Sequence, residues 1–167
     1  IIDTGAPTTP ASAPDMTAAT DSGSSNSDNT TNDSTPNFAI TAPGSGETPN
    51  LYVDGIKVAA TFDSLTNTLT PTSALAEGNH SISTSLTDAA GNESAVSPTL
   101  AIVIDTSGPN APNISAIPEN SNGGMNASEA SDGTVIQVIV PTNAVAGDTL
   151  TLNVGGQTVT YTILASD

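Results

Sequence analysis

The fold can be inferred from an eight-residue segment, Leu51-Tyr52-Val53-Asp54-Gly55-Ile56-Lys57-Val58. Aliphatic residues recur at every second position on both sides of Asp54-Gly55, a period that is typical of half-buried β-strands. An Asp-Gly pair between two such runs is a strong signal for a two-residue turn. The segment therefore predicts an antiparallel β-hairpin.

The hairpin pattern recurs later in the chain. The segment from Leu152 to Val159 lines up with Leu51 to Val58, 101 positions further on (51 to 152), with Gly155-Gly156 in the place of the turn. The stretch from Ile104 to Pro112 likewise repeats the stretch from Ile2 to Pro10 at Ile, Asp, Thr and both prolines. A period near one hundred residues suits whole domains in tandem, each introduced by the same short connector.

The repeat also sets the domain boundaries that we predict. One complete module covers residues 1–105, and a second module begins at residue 106. If the second copy had the length of the first, it would continue beyond residue 167, so residues 106–167 are predicted to hold only its N-terminal strands. Such a half-module is expected to be less ordered, or to need neighbouring chains for its open strand edges.

Strand signals fill the remainder of the chain, and no segment has convincing helical periodicity. Turns rich in Gly, Pro, Asn and Asp separate short alternating runs about every ten residues. We predict an all-β fold built from immunoglobulin-like β-sandwich modules in tandem. In the second module, residues 135–140 are predicted to form a strand that is buried on both faces. The predicted apolar strand positions are Phe38, Ile40, Leu51, Val53, Ile56, Val58, Ala60, Phe62, Ile82, Leu86, Leu100, Ile102, Ile104, Leu150, Leu152, Val154, Val159, Tyr161 and Ile163.

Charge is the most unusual property of the composition. The chain has 17 acidic residues, a single lysine, Lys57, and no arginine, which gives a net charge of −16. Nucleic acid and anionic membrane surfaces are therefore poor partners. Internal salt bridges cannot neutralise so many carboxylates, so the fold either recruits cations such as Ca²⁺ from solution or carries the charge only for solubility.

Several other classes of protein are disfavoured because the sequence lacks the residues or segments that they need. Without cysteine there are no disulfides and no thiolate metal sites. No apolar run approaches the ~20 residues needed to cross a bilayer, and the first residues do not resemble a signal peptide. Acid/base or nucleophilic catalysis would have to use Lys57, His80 or a pair of carboxylates, so we predict that the chain is not an enzyme.

A polar segment over residues 21–34, called the acidic loop below, contains no apolar side chain. Its three acids, Asp21, Asp28 and Asp33, stand among Ser, Thr and Asn, all of which carry oxygen atoms that calcium accepts as ligands. The spacing does not match the EF-hand pattern. Two interpretations stay open: a loop ordered by a bound ion, and a solvated flexible linker.

Taken together, four motifs resemble the bacterial immunoglobulin-like repeats of giant biofilm-associated and RTX-type surface adhesins. They are the Ile-Asp-Thr-x-[Ala/Gly]-Pro connector, the acidic loop, the hairpin segment and the turn Thr87-Asp88-Ala89-Ala90-Gly91-Asn92. The resemblance covers residues 2–105 well, and the remainder of the chain, which contains the stretch from Asn122 to Ala130, looks like a sister repeat type from the same adhesins. It implies an extracellular extender region on the bacterial surface, with calcium at the joints between repeats and the distal ligand bound by other domains.

The resemblance carries Asp3 and Asp105 over as calcium ligands at the connectors. An immunoglobulin-like strand order predicts that Asp88 lies at the same end of the module as Asp3. It also predicts that the acidic loop lies near Asp105, and that Asp148 of the second module lies at that joint. The other interpretation of the joint is a linker stiffened by Pro109 and Pro112 without metal.

The leading prediction for function is thus a non-catalytic extender repeat whose partners are the neighbouring repeats of the same chain. The alternative is a β-sandwich that binds a carbohydrate or protein ligand. Such a site needs exposed aromatic side chains or a polar pocket. The chain has only four aromatic residues, and three of them alternate with predicted core positions or lie beside them.

Overall fold

The computed structural model describes residues 2–23, 25–117, 134–154 and 156–165. The chain divides into two compact units, Ile1–Ser107 and Gly108–Asp167. The stretch from Asn122 to Ala130 and the turn residue Gly155 lie outside the described residues. Every regular element in the described part of the chain is a β-strand, so the predicted all-β class is confirmed.

The first unit is a sandwich of two sheets. The smaller sheet has the strand order β1-β3-β7-β6, and the larger sheet has the order β2-β9-β8-β4-β5. The strands are β1 (Asp15–Met16), β2 (Thr30–Thr31), β3 (Phe38–Ala39), β4 (Thr48–Val53), β5 (Ile56–Val58), β6 (Ala60–Asp63), β7 (Thr68–Pro71), β8 (Gly78–Thr87) and β9 (Leu100–Ile104).

The hydrophobic core lies between the two sheets, where the inward-facing residues of both meet. The smaller sheet contributes Met16, Phe38 and Leu69, and all three are almost fully buried. The larger sheet contributes Leu51, Val53, Ile82, Ile102 and Ile104. Alternate positions along β4 are buried, as the alternating sequence predicts.

The hairpin at Asp54-Gly55 forms as predicted. Both turn residues have positive φ angles, 53° at Asp54 and 78° at Gly55, as a type I′ turn requires. Leu51 pairs with Val58, and Val53 pairs with Ile56. The prediction that Ile56 is half-buried is wrong, because β5 is an edge strand and the Ile56 side chain is 70% exposed.

Two strands of the first unit were not predicted. Strand β7 has one apolar residue, Leu69, and ends at Pro71, so alternation alone does not reveal it. Strand β2 lies inside the polar segment and pairs in parallel with β9, Thr30 with Val103 and Thr31 with Ile104. A parallel partner more than 70 residues away leaves no local signal in the sequence.

In its described residues, the second unit contains two antiparallel pairs of strands. Its strands are β10 (Asn113–Ala116), β11 (Gln137–Ile139), β12 (Thr149–Val154) and β13 (Gln157–Thr162). Strand β10 pairs with β11, and β12 pairs with β13. The expectation of a doubly buried strand at 135–140 is wrong, because Ile139 is 57% exposed and β11 has β10 as its one partner strand among the described residues.

Candidate functional site

The acidic loop is the part of the first unit in which the structure adds most to the sequence. Asp21 is only 4% exposed although no apolar residue flanks it within the loop. The backbone N–H of Asn29 donates a hydrogen bond to Asp21 Oδ2 at 3.0 Å, so the carboxylate reaches across the loop. The other oxygen, Oδ1, is buried and meets no hydrogen-bond donor within the described residues.

Asp28 lies beside Gly23 in the same loop. A Cβ atom at Gly23 would come within 3.1 Å of the Thr30 carbonyl oxygen and within 3.6 and 3.8 Å of the two Asp28 carboxylate oxygens. The Thr30 N–H donates to Asp28 Oδ1 at 3.1 Å. Glycine at position 23 therefore leaves space beside a carboxylate and a carbonyl oxygen.

The base of the loop is closed by side-chain hydrogen bonds. The Ser22 hydroxyl donates to Asn32 Oδ1 at 2.6 Å and accepts from the Asn32 N–H at 2.9 Å. The Thr31 hydroxyl, on a buried side chain, donates to the Thr20 carbonyl. The two ends of the segment are thus held together, as in a compact Ω-loop.

Asp33, the third acid of the segment, has a different local role. Its Oδ1 accepts hydrogen bonds from the Thr35 N–H at 2.8 Å and from the Thr35 hydroxyl at 3.2 Å. This pattern caps the turn that leads toward β3.

The loop is attached to the last strand of the first unit. The Val103 N–H donates to the Asn29 carbonyl, and the Asp105 N–H donates to the Thr31 carbonyl, both at 2.8 Å. Asp105 is the first residue after β9, and its Oδ1 accepts a bond from the Ser107 N–H at 3.0 Å. The acidic loop therefore supports the backbone where the chain leaves the first sandwich.

Glu77 also supports this exit segment, and the sequence did not single it out. Its Oε2 accepts bonds from the Thr106 hydroxyl at 2.6 Å and the Thr106 N–H at 3.1 Å, and its Oε1 accepts from the Ser107 hydroxyl at 3.1 Å. The Thr106 hydroxyl is the largest cause that keeps the pKa of Glu77 below its usual range. Its only sequence signal is an acid just before the glycine at which β8 begins.

His80 and the hairpin turn form an ion pair at this end of the sandwich. His80 Nδ1 lies 2.8 Å from Asp54 Oδ2, and Nε2 lies 2.9 Å from the Ala76 carbonyl oxygen. The hydrogen bond to Asp54 is the main cause that raises the pKa of His80, and the same bond lowers the pKa of Asp54. His80 thus acts as a structural clamp between the turn and the loop before β8.

The opposite end of the first unit brings two other predicted residues together. The Asn92 side-chain amide donates to the Asp3 carbonyl at 3.2 Å and to Asp88 Oδ2 at 2.9 Å. Asp88 Oδ1 accepts bonds from the Ala90 and Asn92 N–H groups, and the Asn92 side chain is the main cause that lowers the pKa of Asp88. The Asp3 carboxylate accepts a bond from the Gly5 N–H at 3.0 Å.

Asp148, the predicted ligand in the second unit, also closes a local turn. Its Oδ2 accepts a bond from the Val145 N–H at 2.8 Å, and its backbone carbonyl accepts from the Ile163 N–H at 2.8 Å. Across the described ranges of the chain, no three acidic or histidine side chains gather closely enough to hold a metal by themselves. A cation at any of these places would need backbone carbonyl, hydroxyl or water oxygens as well.

A polar network on the outer face of the larger sheet centres on Glu93. Glu93 Oε1 accepts bonds from the Tyr52 hydroxyl at 2.7 Å, from the Asn50 amide at 3.2 Å and from the Ser85 hydroxyl. Glu93 Oε2 forms an ion pair with Lys57 Nζ at 2.9 Å. The bonds from Ser85, Tyr52 and Lys57, in that order of size, lower the pKa of Glu93 to about 2. The Tyr52 hydroxyl is therefore occupied within the sheet.

The comparisons with known proteins agree with this architecture. The family model for the bacterial Ig-like domain matches residues 8–106, more than half of the chain and almost all of the first sandwich. The chain belongs to the bacterial Ig-like domain family. Domains of this family are typically non-catalytic and commonly occur in extracellular or surface proteins. A search of the curated proteins finds no match.

This family assignment agrees with the chemistry of the Ig-like unit. In the first unit, the charged and polar groups described above take part in turns, strand pairing and the chain exit, with Asp21 Oδ1 as the exception. In the described ranges, no helix has the length and apolar character needed to span a membrane.

Proposed function

We propose that this Ig-like chain is a non-catalytic extender segment of a bacterial cell-surface adhesin, which holds a distal binding domain away from the cell. Its partners are the neighbouring Ig-like repeats of the same chain, and its contribution to attachment or biofilm formation is mechanical. The observation that carries the proposal is the tandem repeat. The second hairpin has the same strand register as the first, 101 positions later: Leu51 pairs with Val58, and Leu152 pairs with Val159.

The contacts at the chain exit support a spacer function. Asp105, Thr106 and Ser107 are all bonded, to the acidic loop, to Glu77 or to one another. These bonds limit the directions in which the chain can leave the first sandwich. A spacer benefits from such a limit, because free rotation at every connector would let a tandem array fold back on itself.

Calcium at the joints is part of the proposal. Asp3 and Asp105 occupy matching positions in the two connectors, and Asp148 is the acid of the second unit that strand tracing brings to the joint. A net charge of −16 favours recruitment of cations, since carboxylates near a joint repel one another unless a cation bridges them. Each saturated site would add about 2.7 kcal/mol of stability at one hundred times its dissociation constant.

Small-angle X-ray scattering of the whole chain, with calcium and then with a chelator, tests this proposal. We expect calcium to narrow the distribution of the radius of gyration, because a bridged connector bends less. Asp105→Asn should remove that response. Asp63→Asn is the matched control, because Asp63 also accepts a local backbone bond, from Leu65, but is the last residue of β6 and belongs to neither connector.

Two outcomes would contradict the proposal. An unchanged scattering profile with and without calcium would exclude a calcium-braced joint. Saturable binding of a glycan on an array would favour a ligand-binding sandwich over a spacer.

A further inference from the structure

One edge of β12 in the second unit lacks the neighbour that the matching strand has in the first unit. Strand β12 (Thr149–Val154) lies 101 positions after β4 (Thr48–Val53), and the two strands have the same length. In the first unit, β4 lies between β5 and β8. Among the described residues, β12 has β13 as its one neighbour, so the edge that corresponds to the β8 side of β4 is open.

The backbone groups along this edge are directed toward the position that a further strand would take. Successive residues of a strand in an antiparallel sheet direct their N–H and C=O groups to opposite sides. The Ile163 N–H donates to the Asp148 carbonyl at 2.8 Å, so even-numbered residues along this strand bond toward β13. The N–H and C=O groups of Thr151 and Asn153 therefore point to the open edge.

An apolar groove borders the same strand. It has a volume of about 730 Å³, and its lining includes Val138 of β11, Leu150 and Leu152 of β12, and Val159 of β13. Pockets that bind ligands commonly measure about 300–1,000 Å³. Val159 is 61% exposed and Leu152 is only partly buried, whereas Leu51, the counterpart of Leu152, is fully buried. The groove thus exposes apolar surface of the kind that the first unit covers.

The first unit shows what kind of strand covers such a surface. Strand β8 pairs with β4, with Ile82 opposite Val53 and Thr84 opposite Leu51, and both β8 side chains are buried. The ten residues of β8 contain no acid. A segment without acidic residues suits a chain with a net charge of −16, because it adds no repulsion between carboxylates.

This chain does not have a second strand of that kind to spare. Strand β8 lies between β9 and β4 at the centre of its own sheet, so its release would open the first core. Residues 118–133 contain no Val, Ile, Leu or aromatic residue, and their sequence therefore does not carry the alternation that such a strand needs. The strand that fits the open edge belongs to a different polypeptide.

We propose that the second unit binds one added β-strand, supplied by a separate polypeptide whose segment has the β8 pattern of alternating aliphatic and hydroxyl residues without acids. The segment lies antiparallel to β12 and bonds to the backbone of Thr151 and Asn153. Its aliphatic side chains enter the groove between β11 and β12, as in other cases in which an extended peptide extends a sheet. The proposal goes beyond the proposed function, because a spacer needs no binding site for a separate strand.

Amide hydrogen exchange of the whole chain, followed by nuclear magnetic resonance (NMR) with and without a synthetic peptide, tests the proposal. The peptide has the sequence of residues 78–87, which is that of β8. At saturating peptide, exchange of the Thr151 and Asn153 amides should slow by at least about tenfold, because both N–H groups become bonded. Exchange of the Leu152 amide should change much less, because its N–H already bonds toward β13. A peptide carrying Ile82→Ser should bind about tenfold more weakly, because it lacks the aliphatic side chain for the groove.

Two methylated peptides show whether the strand binds in the expected register. The Asp54 N–H donates to the Ser81 carbonyl, so odd-numbered residues of β8 bond toward β4. The Thr84 N–H instead donates to the Ser97 hydroxyl, in the segment that precedes β9. A peptide N-methylated at Ser83 should therefore bind about tenfold more weakly, whereas methylation at Thr84 should have little effect.

Two variants of the chain identify the edge that binds the peptide. Thr151 and Thr160 are cross-strand partners in the β12–β13 pair, and each directs its N–H away from the other strand. Thr151→Pro removes a donor from the open edge of β12 and should abolish the effect of the peptide. Thr160→Pro, the matched control, removes a donor from the far edge of β13 and should leave binding unchanged. If either variant loses the hairpin, the methylated peptides decide the question alone.

The proposal is overturned if saturating peptide leaves exchange at Thr151 and Asn153 unchanged, if the two methylated peptides bind equally well, or if folded Thr151→Pro still binds. Slow exchange of these two amides before peptide is added, or slowing that grows with chain concentration alone, would overturn it too. Those results would mean that the edge is already filled or that it pairs with a second copy of the chain. None of these outcomes involves calcium or the connectors, so the extender proposal is tested separately.

Discussion

The two repeated hairpins share a register but differ in burial. Leu51 and Val53 of the first hairpin are 0% and 8% exposed, while Val154, the counterpart of Val53, is 53% exposed. Residue pairs along β4 and β5 recur 101 positions later along β12 and β13. The local pattern is thus sufficient for the hairpin, and burial comes from other strands.

The strands that bury the first hairpin can be named. Strand β8 pairs with β4 through Leu51 and Thr84, and through Val53 and Ile82. Strand β9 and the smaller sheet then cover the inner face with Ile102, Phe38 and Leu69. In the second unit, β12 and β13 pair only with each other in the described residues. The loss of stability on substitution should therefore differ between matching positions of the two hairpins.

The largest expected difference in unfolding free energy is between substitutions at the matching residues Leu51 and Leu152. Leu51→Ala should lower the free energy of unfolding of the first unit by about 2–5 kcal/mol, because it leaves a cavity in a closed core. Leu152→Ala should cost the second unit less than about 1 kcal/mol, because Leu152 is only partly buried. Urea unfolding followed by amide signals from each unit measures both values. Equal losses at the two positions would contradict the comparison.

A smaller effect is expected from Glu93, whose network belongs to the first sandwich. Glu93→Gln should lower the free energy of unfolding at pH 7 by roughly 1 kcal/mol, because three hydroxyl or amide bonds and an ion pair weaken together. Because folding lowers the pKa of Glu93 from 4.5 to about 2, its stabilisation is present above pH 4.5 and is lost as the pH falls toward 2.

Acid unfolding curves of the original chain and of Glu93→Gln measure that contribution. The variant should lose the part of the pH dependence that lies between 4.5 and 2. Ser73→Ala, at an exposed position in the same unit, is a suitable control. Identical acid curves for Glu93→Gln and the original chain would show that the network adds no stability.

The smallest expected effect on stability comes from His80. Because His80 is the only histidine in the chain, its NMR titration needs no assignment. Its pKa should lie above 6.5 and move back toward that value in Asp54→Asn. Stability from the charged imidazole is complete below pH 6.5 and is lost as the pH rises through the folded-state pKa. Stability from Asp54 is present above pH 3.8 and is lost as the pH falls below it.

The effect of this pair is small because half of the Asp54 side chain is exposed, and solvent screens the charges. The second copy carries glycine at the position that matches Asp54, so the pair is specific to the first unit. An NMR titration of the imidazole protons measures the pKa of His80 in the original chain and in Asp54→Asn. A His80 pKa at or below 6.5 would contradict the clamp.

Much of the fold was predictable because its signals are local. Alternation around Asp54-Gly55 predicts the hairpin, since a two-residue turn and a period of two involve only neighbouring residues. The Asp88 turn and the connector repeat were recognisable for the same reason. Alternation fails at two places. It misses β7, in which Leu69 is the one aliphatic residue, and it does not distinguish an edge strand from a central one, as the exposed Ile56 shows.

The candidate site was predictable only in part. Sequence alone singled out Asp21, Asp28 and Asp33 as oxygen donors on one segment, and it left both an ion-ordered loop and a solvated linker open, with the ion-ordered loop favoured. It did not single out Glu77 or Glu93, which bond to Thr106, 29 residues away, and to Asn50, 43 residues away. Contacts at such separations depend on how the sheets pack.

The all-β class, the repeated hairpins, the connector and the acidic character of the chain can all be inferred without coordinates. The burial of Asp21, the exposure of Asp28 and the parallel pairing of β2 with β9 become evident only from the folded chain. The two groups of features differ in the sequence range of the interactions that produce them. Turn conformation and strand alternation arise from neighbouring residues, whereas burial and parallel pairing arise when segments far apart in the chain are brought together by the closing of one hydrophobic core.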